Sequence, residues 1–587
     1  MGLDYLMVHI TYNIPWAILM TSLSWPFLTR LDCAKIQALV MVSLIATIPW
    51  DSYLVRNRIW TYHPDAVTGY TLFSIPLEEV FFFVIQTYNT SLLYTILTRK
   101  LVLPAYLRES SNRQRTAGTI LLLILALGGG AAVYCGHRYT YLGLIVVWTS
   151  PWLLIQWAFS SDFISTFPRK GYIASVMIPT VFLWVVDTVS LKSGTWVIAD
   201  STKLDIQPWT AMDLEEAIFF FITNVMIVNG LIVADHAIAL MHCQQAQSAG
   251  KLQEEPSCSR ILANFMASPK VPDPRFVRDL HDAVHRLAIA SQSMYLGSAM
   301  FQGSLRIDLI FLYSFCRVVD DLVDEAPSTK TAQSVVEQCN KLLMMKFSSP
   351  LDFTDRAREA GYNSQVTQQL INAINRLPVS RLQAEPLQSL LKGFRTDLKF
   401  DAQHDGFPIG TEADLDEYSY HVAGTIATSV LQLVSHRHPC HPLTNHHALR
   451  DEVFRAGVRM GKGLQYINIA RDIGRDAAIN RVYLPTSWLR EVDLSPADVI
   501  CCPLSPRLKL LRSRLLAKAK EYHDSSVAAI QKLPTNTQAP LRATVMSYME
   551  IGVVLSCGFW PAKPNEKLNL PLMRRLVVAY KAMANIG

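Results

Sequence analysis

Seven apolar stretches crowd into the first 242 residues of this 587-residue chain, near 5–25, 36–51, 72–96, 117–134, 139–160, 172–187 and 217–241. Each is long enough, or nearly so, to cross bilayer hydrocarbon as a helix. The second is short and the first carries His9 and Asn13, but loop charge supports seven. Loops on one side hold Arg30, Lys35, Arg99, Lys100, Arg108, Arg113, Arg115, Arg169 and Lys170; those on the other hold Arg56, Arg58, Arg138, Lys192 and Lys203. Nine against five places the first set, and everything after the seventh span, on the cytosolic side of a multi-pass membrane protein.

Past residue 242 charge becomes frequent and the pattern is that of a soluble helical protein. A chain of this length exceeds one ordinary core. We expect a membrane domain over 1–242, a Ser-, Gln- and Pro-containing linker over 243–275, and a second helical domain over 276–587. A net charge of +6 is mild for this length and gives no nucleic-acid signal. The ten cysteines show neither metal-ligand spacing nor a disulfide framework, so reduced thiols are expected. No cleavable signal peptide is expected, because the first residues lack a basic segment and a small-residue cleavage site.

The membrane half contains a repeat. "PWDSYLVRNRIW" (49–60) leads to "PLEEVFFF" (76–83), and "VVDTVSLKSGTW" (185–196) leads to "DLEEAIFFF" (213–221). Asp51 precedes Trp60 by nine residues and Asp187 precedes Trp196 by nine; Glu78 follows Asp51 by 27 and Glu215 follows Asp187 by 28. Three spans per unit would invert the second copy, and the helix at 117–134, which has no counterpart, restores its orientation. The result is two parallel three-helix repeats plus a linking helix, with both Asp–Trp–Glu–Glu sets at one membrane face.

Glu78, Glu79, Glu215 and Glu216 could simply complement helix dipoles, since Pro76 stands where a helix can begin. Recurrence with Asp51 and Asp187 at fixed distances favours a functional reading. Carboxyls at the edge of hydrocarbon are costly and usually functional. An apolar site keeps a carboxyl protonated near neutral pH, ready to act as an acid. Nearby aromatic faces stabilise the carbocation it makes. Acid-initiated chemistry on an apolar molecule is the expectation, with the first glutamate of each pair, Glu78 and Glu215, favoured.

The second half carries two acidic motifs. In "YSFCRVVDDLVDE" (313–325), Asp320 and Asp324 are four apart, Asp321 and Glu325 repeat the spacing, and Arg317 lies one turn earlier. In "QYINIARDIGRDAAINRVYLP" (465–485), Gln465, Asn468, Asp472 and Asp476 share one helical stripe, with Arg471 and Arg475 beside it. Carboxylates packed so closely repel unless cations sit between them, and hard oxygen ligands suit Mg²⁺. Two such helices facing across a bundle can clamp a metal–diphosphate cluster, the arginines taking the remaining phosphate oxygens. The metal would promote ionisation to an allylic cation.

"DDLVD" and "NIARDIGRD…RVYLP", with "SMYLGS" (293–298) and "YHVAGT" (420–425), resemble the squalene/phytoene synthase family over roughly 275–587. The resemblance implies an all-α class I prenyl synthase domain that joins two prenyl diphosphates head to head. It implies Asp320, Asp324, Asn468, Asp472 and Asp476 as Mg²⁺–diphosphate ligands, Mn²⁺ being the substitute ion. Asp321 stands where the family often has glutamate, keeps the charge, and joins the metal set. Ser293, Tyr295, Tyr313, Arg317, Tyr420 and Arg471 would lie at the diphosphates or the cation. "RVYLP" resembles the phytoene branch rather than the "FWP" of squalene synthases; Met294 and His421 depart from the usual pattern in ways that bear on pocket shape.

The membrane half, with "PWD", "PLEE" and "DLEE", is similar to the membrane lycopene β-cyclases. That resemblance implies that the glutamate pairs protonate a carotene end group and accept the proton released on ring closure. No GxGxxG fingerprint is present, so neither NAD(P) nor FAD is expected. Expected partners are prenyl diphosphates, carotenes and membrane lipid, with a carotene desaturase as a protein associate. The competing readings are a squalene-synthase-like enzyme on a membrane anchor and a transporter-like first half that tethers the synthase.

Overall fold

A computed structural model describes residues 2–586 apart from 109–110, 193–194, 402–403, 405, most of 249–272 and most of 559–567. Two compact units emerge, Met1–Gln244 with Glu255–Val277, and Gln245–Glu254 with Arg278–Gly587. Most of the stretch read as linker lies outside the described residues.

In the first unit the seven expected spans are α1 (Asp4–Phe27), α2 (Arg30–Arg56), α3 (Leu77–Thr98), α4 (Asn112–Cys135), α5 (His137–Thr166), α6 (Arg169–Lys192) and α7 (Leu214–Gln247). They outrun the apolar stretches because polar end turns are satisfied locally. The extended start of α2 illustrates this: Thr29 and Asp32 form a reciprocal capping box, and Asp32 pairs with Arg99 at 3.0 Å while Lys35 pairs with Asp235 at 2.7 Å. Hydropathy falls there, yet the helix continues. At the other end α7 runs to Gln247, past the start of the expected linker.

Four short strands cap one end of the spans: β1 (Trp60–Tyr62), β2 (Thr71–Leu72), β3 (Ile75–Pro76) and β4 (Trp196–Ile198). β1 and β4 follow α2 and α6 and pair antiparallel, Trp60 with Ile198, Thr61 with Val197 and Tyr62 with Trp196. Trp60 and Trp196 hold the same place in the two repeats, so the ladder is symmetric about its middle pair. Equivalent strands meet this way when the copies are related by a two-fold axis along the bundle. Gln86 of α3 accordingly donates to its counterpart on α7, Thr223 Oγ1, at 3.0 Å. The parallel arrangement of the repeats is thus realised.

In the second unit the described elements are helices, beside one isolated bridge between Asp401 and Gly406. Helix α8 (Gly303–Asp324) buries Phe315, Val319 and Val323 in one core. That rotation leaves Asp320, Asp321 and Asp324 on its less buried side. Helix α9 (His447–Ala478) packs Tyr466, Ile469 and Ile473 into a second core. A Cβ on Gly461 would stand 2.7 Å from the carbonyl oxygen of Ala423, so glycine there permits close approach of α9 to the turn Tyr420–Gly424. That turn is π-helical, a wide turn often found at functional positions.

Candidate active sites

The duplicated carboxyls of the membrane unit converge. Asp51, Glu78, Glu79, Asp187, Glu215 and Glu216 are all buried, none more than 5% exposed. The two glutamates of each pair point to different tasks. Glu78 accepts the backbone N–H of Thr68 at 2.7 Å, and Glu215 accepts that of Leu204 at 2.7 Å. Each first glutamate therefore anchors the loop that precedes its helix. Each second glutamate meets tyrosine instead. Tyr5 and Tyr62 both donate to Glu79 Oε2, at 2.5 and 3.0 Å, and Tyr141 donates to Glu216 Oε1 at 2.9 Å.

Asp51 and Asp187 each lie within electrostatic reach of both Glu79 and Glu216. Four carboxyls, two from each repeat, thus share one centre, with Asp213, paired to Lys203, acting on Asp187 and Glu216 from beside it. Trp50, Trp60, Trp196, Phe82, Phe219 and Phe220 pack around it in one apolar cluster. A cavity of about 20 Å³ opens onto this centre, with Glu79, Asp187, Trp196 and Phe220 in its wall. Such a lining can give a proton, take one, and face a cation with aromatic rings.

In the second unit the two acidic motifs meet at Arg481. Its guanidinium pairs with Asp324 Oδ1 at 2.8 Å and acts electrostatically on Asp320 and Asp476. Arg317 pairs with Asp320 at 2.9 Å and Asp321 at 2.5 Å. Arg471 grips Asp472 with two nitrogens, at 2.9 and 2.5 Å, and Arg475 is 3.8 Å from the same carboxylate. Burial, then Asp324, pushes Asp320 up to about 6; burial, then Asp472, pushes Asp476 up to about 8. These are carboxyls short of positive charge, and Asn468 Oδ1 beside them is buried without a hydrogen-bond partner.

Among the described residues no three His, Cys, Asp or Glu side chains already stand as a metal cluster; arginines hold several of the oxygens instead. The all-oxygen donor set, its crowded negative charge and the orphaned Asn468 oxygen fit a hard divalent cation. An apolar cavity of about 440 Å³ starts at this point, with Tyr313, Gln465, Asn468 and Tyr548 in its wall and Phe301, Ile426, Val430 and Met460 among its apolar residues. Burial pushes the Tyr313 phenol up to about 12.

Residues 287–556 match the squalene/phytoene synthase family. Along its full length the chain is 53% identical to a bifunctional lycopene cyclase/phytoene synthase of Aspergillus oryzae, covering 100% of both chains. A bifunctional lycopene cyclase/phytoene synthase of Arthroderma gypseum is 47% identical, over 99% of this chain and 100% of that one. The chain belongs to the bifunctional lycopene cyclase/phytoene synthases. It is an enzyme of carotenoid biosynthesis with a phytoene synthase and a lycopene cyclase activity, in a family whose synthase half depends on divalent metal. A crystal structure of a dehydrosqualene synthase in complex with ligand aligns with a TM-score of 0.40 and 19% identity, over 53% of this chain and 96% of that one.

Within the synthase half, Tyr313 and Asn468 line the cavity, whereas Ser293, Tyr295, Arg317, Tyr420 and Arg471 do not. Ser293 and Tyr295 ride on the short helix Gln292–Ser298, whose Met294, Gly297 and Ser298 do line it. Tyr420 opens the π-helical turn whose Val422 and Ala423 reach the cavity.

Two participants escaped the sequence reading. Arg481 lies in "RVYLP", which served only to choose a family branch. Asp397 is a buried carboxyl that accepts from Tyr483 at 2.8 Å and acts on Asp476; burial pushes it up to about 6. In the cyclase half, Tyr5 and Tyr141 were also missed, although the signal was present. "YLMVHITYNIPW" (5–16) and "YLGLIVVWTSPW" (141–152) share Tyr-Leu and Pro-Trp at identical spacing, extending the repeat into the first helix of each copy.

Proposed function

We propose that the synthase unit (276–587) condenses two geranylgeranyl diphosphates head to head, through prephytoene diphosphate, to phytoene, and that the membrane unit (1–242) closes β-ionone rings on lycopene-type ends, giving γ- and β-carotene. The stretch 243–275 joins them, and the synthase unit stands on the cytosolic side. In the synthase unit Asp320, Asp321, Asp324, Asn468, Asp472 and Asp476 would hold Mg²⁺ or Mn²⁺. When bound, the ion neutralises the diphosphate and makes it a better leaving group. Arg317, Arg471 and Arg481 offer guanidinium groups to phosphate oxygens. The apolar cavity receives the prenyl tails and keeps water from the allylic cation. No nicotinamide or flavin is required for either reaction, and a carotene desaturase would work between them.

In the membrane unit the acid and the base are drawn from Glu79, Glu216, Asp51 and Asp187, while Glu78 and Glu215 hold loops. The observation that carries this reading is the shared burial of four carboxyls from two repeats under one aromatic lining. Expression in a bacterium supplying geranylgeranyl diphosphate tests the whole. Phytoene should accumulate without a desaturase, and cyclic carotenes with one. A C30 product made with NADPH would instead indicate a squalene synthase.

The Glu79→Gln/Glu216→Gln double variant keeps size and removes acidity. Ring formation should drop by about 10²-fold or more, the usual contribution of general acid–base catalysis, with lycopene accumulating and phytoene output unchanged. Glu78→Gln and Glu215→Gln should cost about 1 kcal/mol of stability, the net worth of one hydrogen bond, and leave ring formation within a few-fold. Pigment analysis beside thermal melts separates the two classes. Loss of rings in the first-glutamate variants at unchanged stability would reverse the assignment.

A further inference from the structure

Resting on the acid–base reading just given, we infer that the duplicated carboxyls of the membrane unit act asymmetrically: Asp187 gives the proton to the carotene end group and Glu79 takes one back, while Asp51 and Glu216 do not touch the substrate. The site inherits two-fold symmetry from the repeat, but its surroundings break it. The cavity wall includes Glu79 and Asp187 and neither Asp51 nor Glu216.

On the symmetry-related side a cavity of about 60 Å³ has Thr47, Gln86, Trp148 and Phe219 in its wall but reaches no carboxyl, because aromatic rings stand between it and Asp51. Trp50 stacks on Trp148 with centroids 4.4 Å apart and planes 15° from parallel, and on Phe219 at 5.6 Å and 11°. In the repeat, Val186 holds the place of Trp50 and Tyr12 that of Trp148. The Asp187 side therefore has a small aliphatic residue where the Asp51 side has indole. The cavity that reaches Asp187 and Glu79 is walled by α1, α3, α6 and α7, with Trp16 stacked on Phe182 between α1 and α6 at 5.4 Å; the cavity beside α2 and α5 ends at Trp148 without reaching a carboxyl.

Hydrogen bonding divides the two roles. Both oxygens of Asp187 are buried without a well-formed hydrogen bond, the Trp196 indole being the one donor near enough to act on it, and a poorly paired charge in an apolar interior is the costly form, so the protonated carboxyl fits there. Glu79 collects two phenolic O–H donors on one oxygen, an arrangement that is strongest when the acceptor is a carboxylate. Glu216 has one such donor, because Ile198 stands where the first repeat has Tyr62.

The step is balanced. The Asp187 O–H proton bonds to the terminal alkene carbon using that alkene's π pair, leaving a tertiary cation. The π pair of the neighbouring double bond forms the ring C–C bond and moves the cation into the ring. Glu79 removes a ring C–H proton, whose electron pair becomes the ring double bond. Composition is unchanged, and return of the proton from Glu79 to Asp187 resets the pair. Trp196, Phe82 and Phe220 line the cavity beside the two carboxyls and turn aromatic surface toward the cation.

The test is lycopene conversion by full-length protein in bacterial membranes, normalised to embedded protein. Glu79→Gln and Asp187→Asn should each lose about 10²-fold or more, with Glu216→Gln and Asp51→Asn losing under about tenfold. Asp187→Glu, which keeps an acid, should recover part of the activity that Asp187→Asn lacks. If Asp187→Asn fails to reach the membrane, the comparison of Glu79→Gln with Glu216→Gln decides alone. Equal losses in all four, or greater sensitivity at Asp51 and Glu216, would overturn the asymmetry and leave the carboxyl site standing. No loss in any of the four would overturn both.

Discussion

Asp320→Ala should abolish phytoene formation while the same membranes still convert supplied lycopene to cyclic carotenes. Asp320 sits where both acidic motifs meet, crowded by Asp324 and answered by Arg317 and Arg481. On the proposed reading its removal would take from the diphosphate site one of the oxygens that position the neutralising charge. That charge stabilisation is worth several kcal/mol; a loss of about 4 kcal/mol is roughly 10³-fold in rate. Nothing in the cyclase centre depends on Asp320, since its carboxyls, tyrosines and tryptophans come from α1–α3, α5–α7 and the strands that cap them. Radiolabelled geranylgeranyl diphosphate follows one activity and lycopene the other. Loss of both in a variant that melts normally would count against separate sites.

The second large effect is chelation. EDTA should bring phytoene formation to background, and added Mg²⁺ or Mn²⁺ should restore it, because Asp320 and Asp476 crowd carboxyls that need a cation for company. Cyclisation has no diphosphate to ionise and its four carboxyls are buried among aromatic rings, so the same treatment should leave ring formation unchanged. Equal chelator sensitivity of the two reactions would contradict the assignment of metal to the synthase motifs alone.

Much of this was legible in the residues. Seven spans follow from hydropathy because a bilayer imposes a length on every helix that crosses it. The spacing of Asp51, Trp60 and Glu78 against Asp187, Trp196 and Glu215 revealed a repeat, and an odd number of spans with one spare helix set its parallel sense. The stripes of Asp320–Asp324 and Asn468–Asp472–Asp476 follow from 3.6 residues per turn. Which way each glutamate of a pair faces was not legible. Adjacent residues on a helix differ by about 100° in direction, and the sequence contains nothing that says which direction is inward. Packing turned Glu79 and Glu216 toward the tyrosines and left Glu78 and Glu215 under their own loops.

By itself, then, the sequence determined the two-part plan, the membrane helices, the duplicated carboxyls and the paired acidic motifs, all of which are written in spacing along one chain. Only tertiary structure decided which carboxyls share a centre, that Arg481 and Asp397 join the acidic motifs, that an apolar cavity begins beside Asn468, and that Trp50 stacks on Trp148 on one side of a symmetric site. The reason is physical. Periodicity specifies the face a residue occupies on its own helix, whereas a partner 74 residues away, as Tyr5 is from Glu79, is chosen by how whole helices pack.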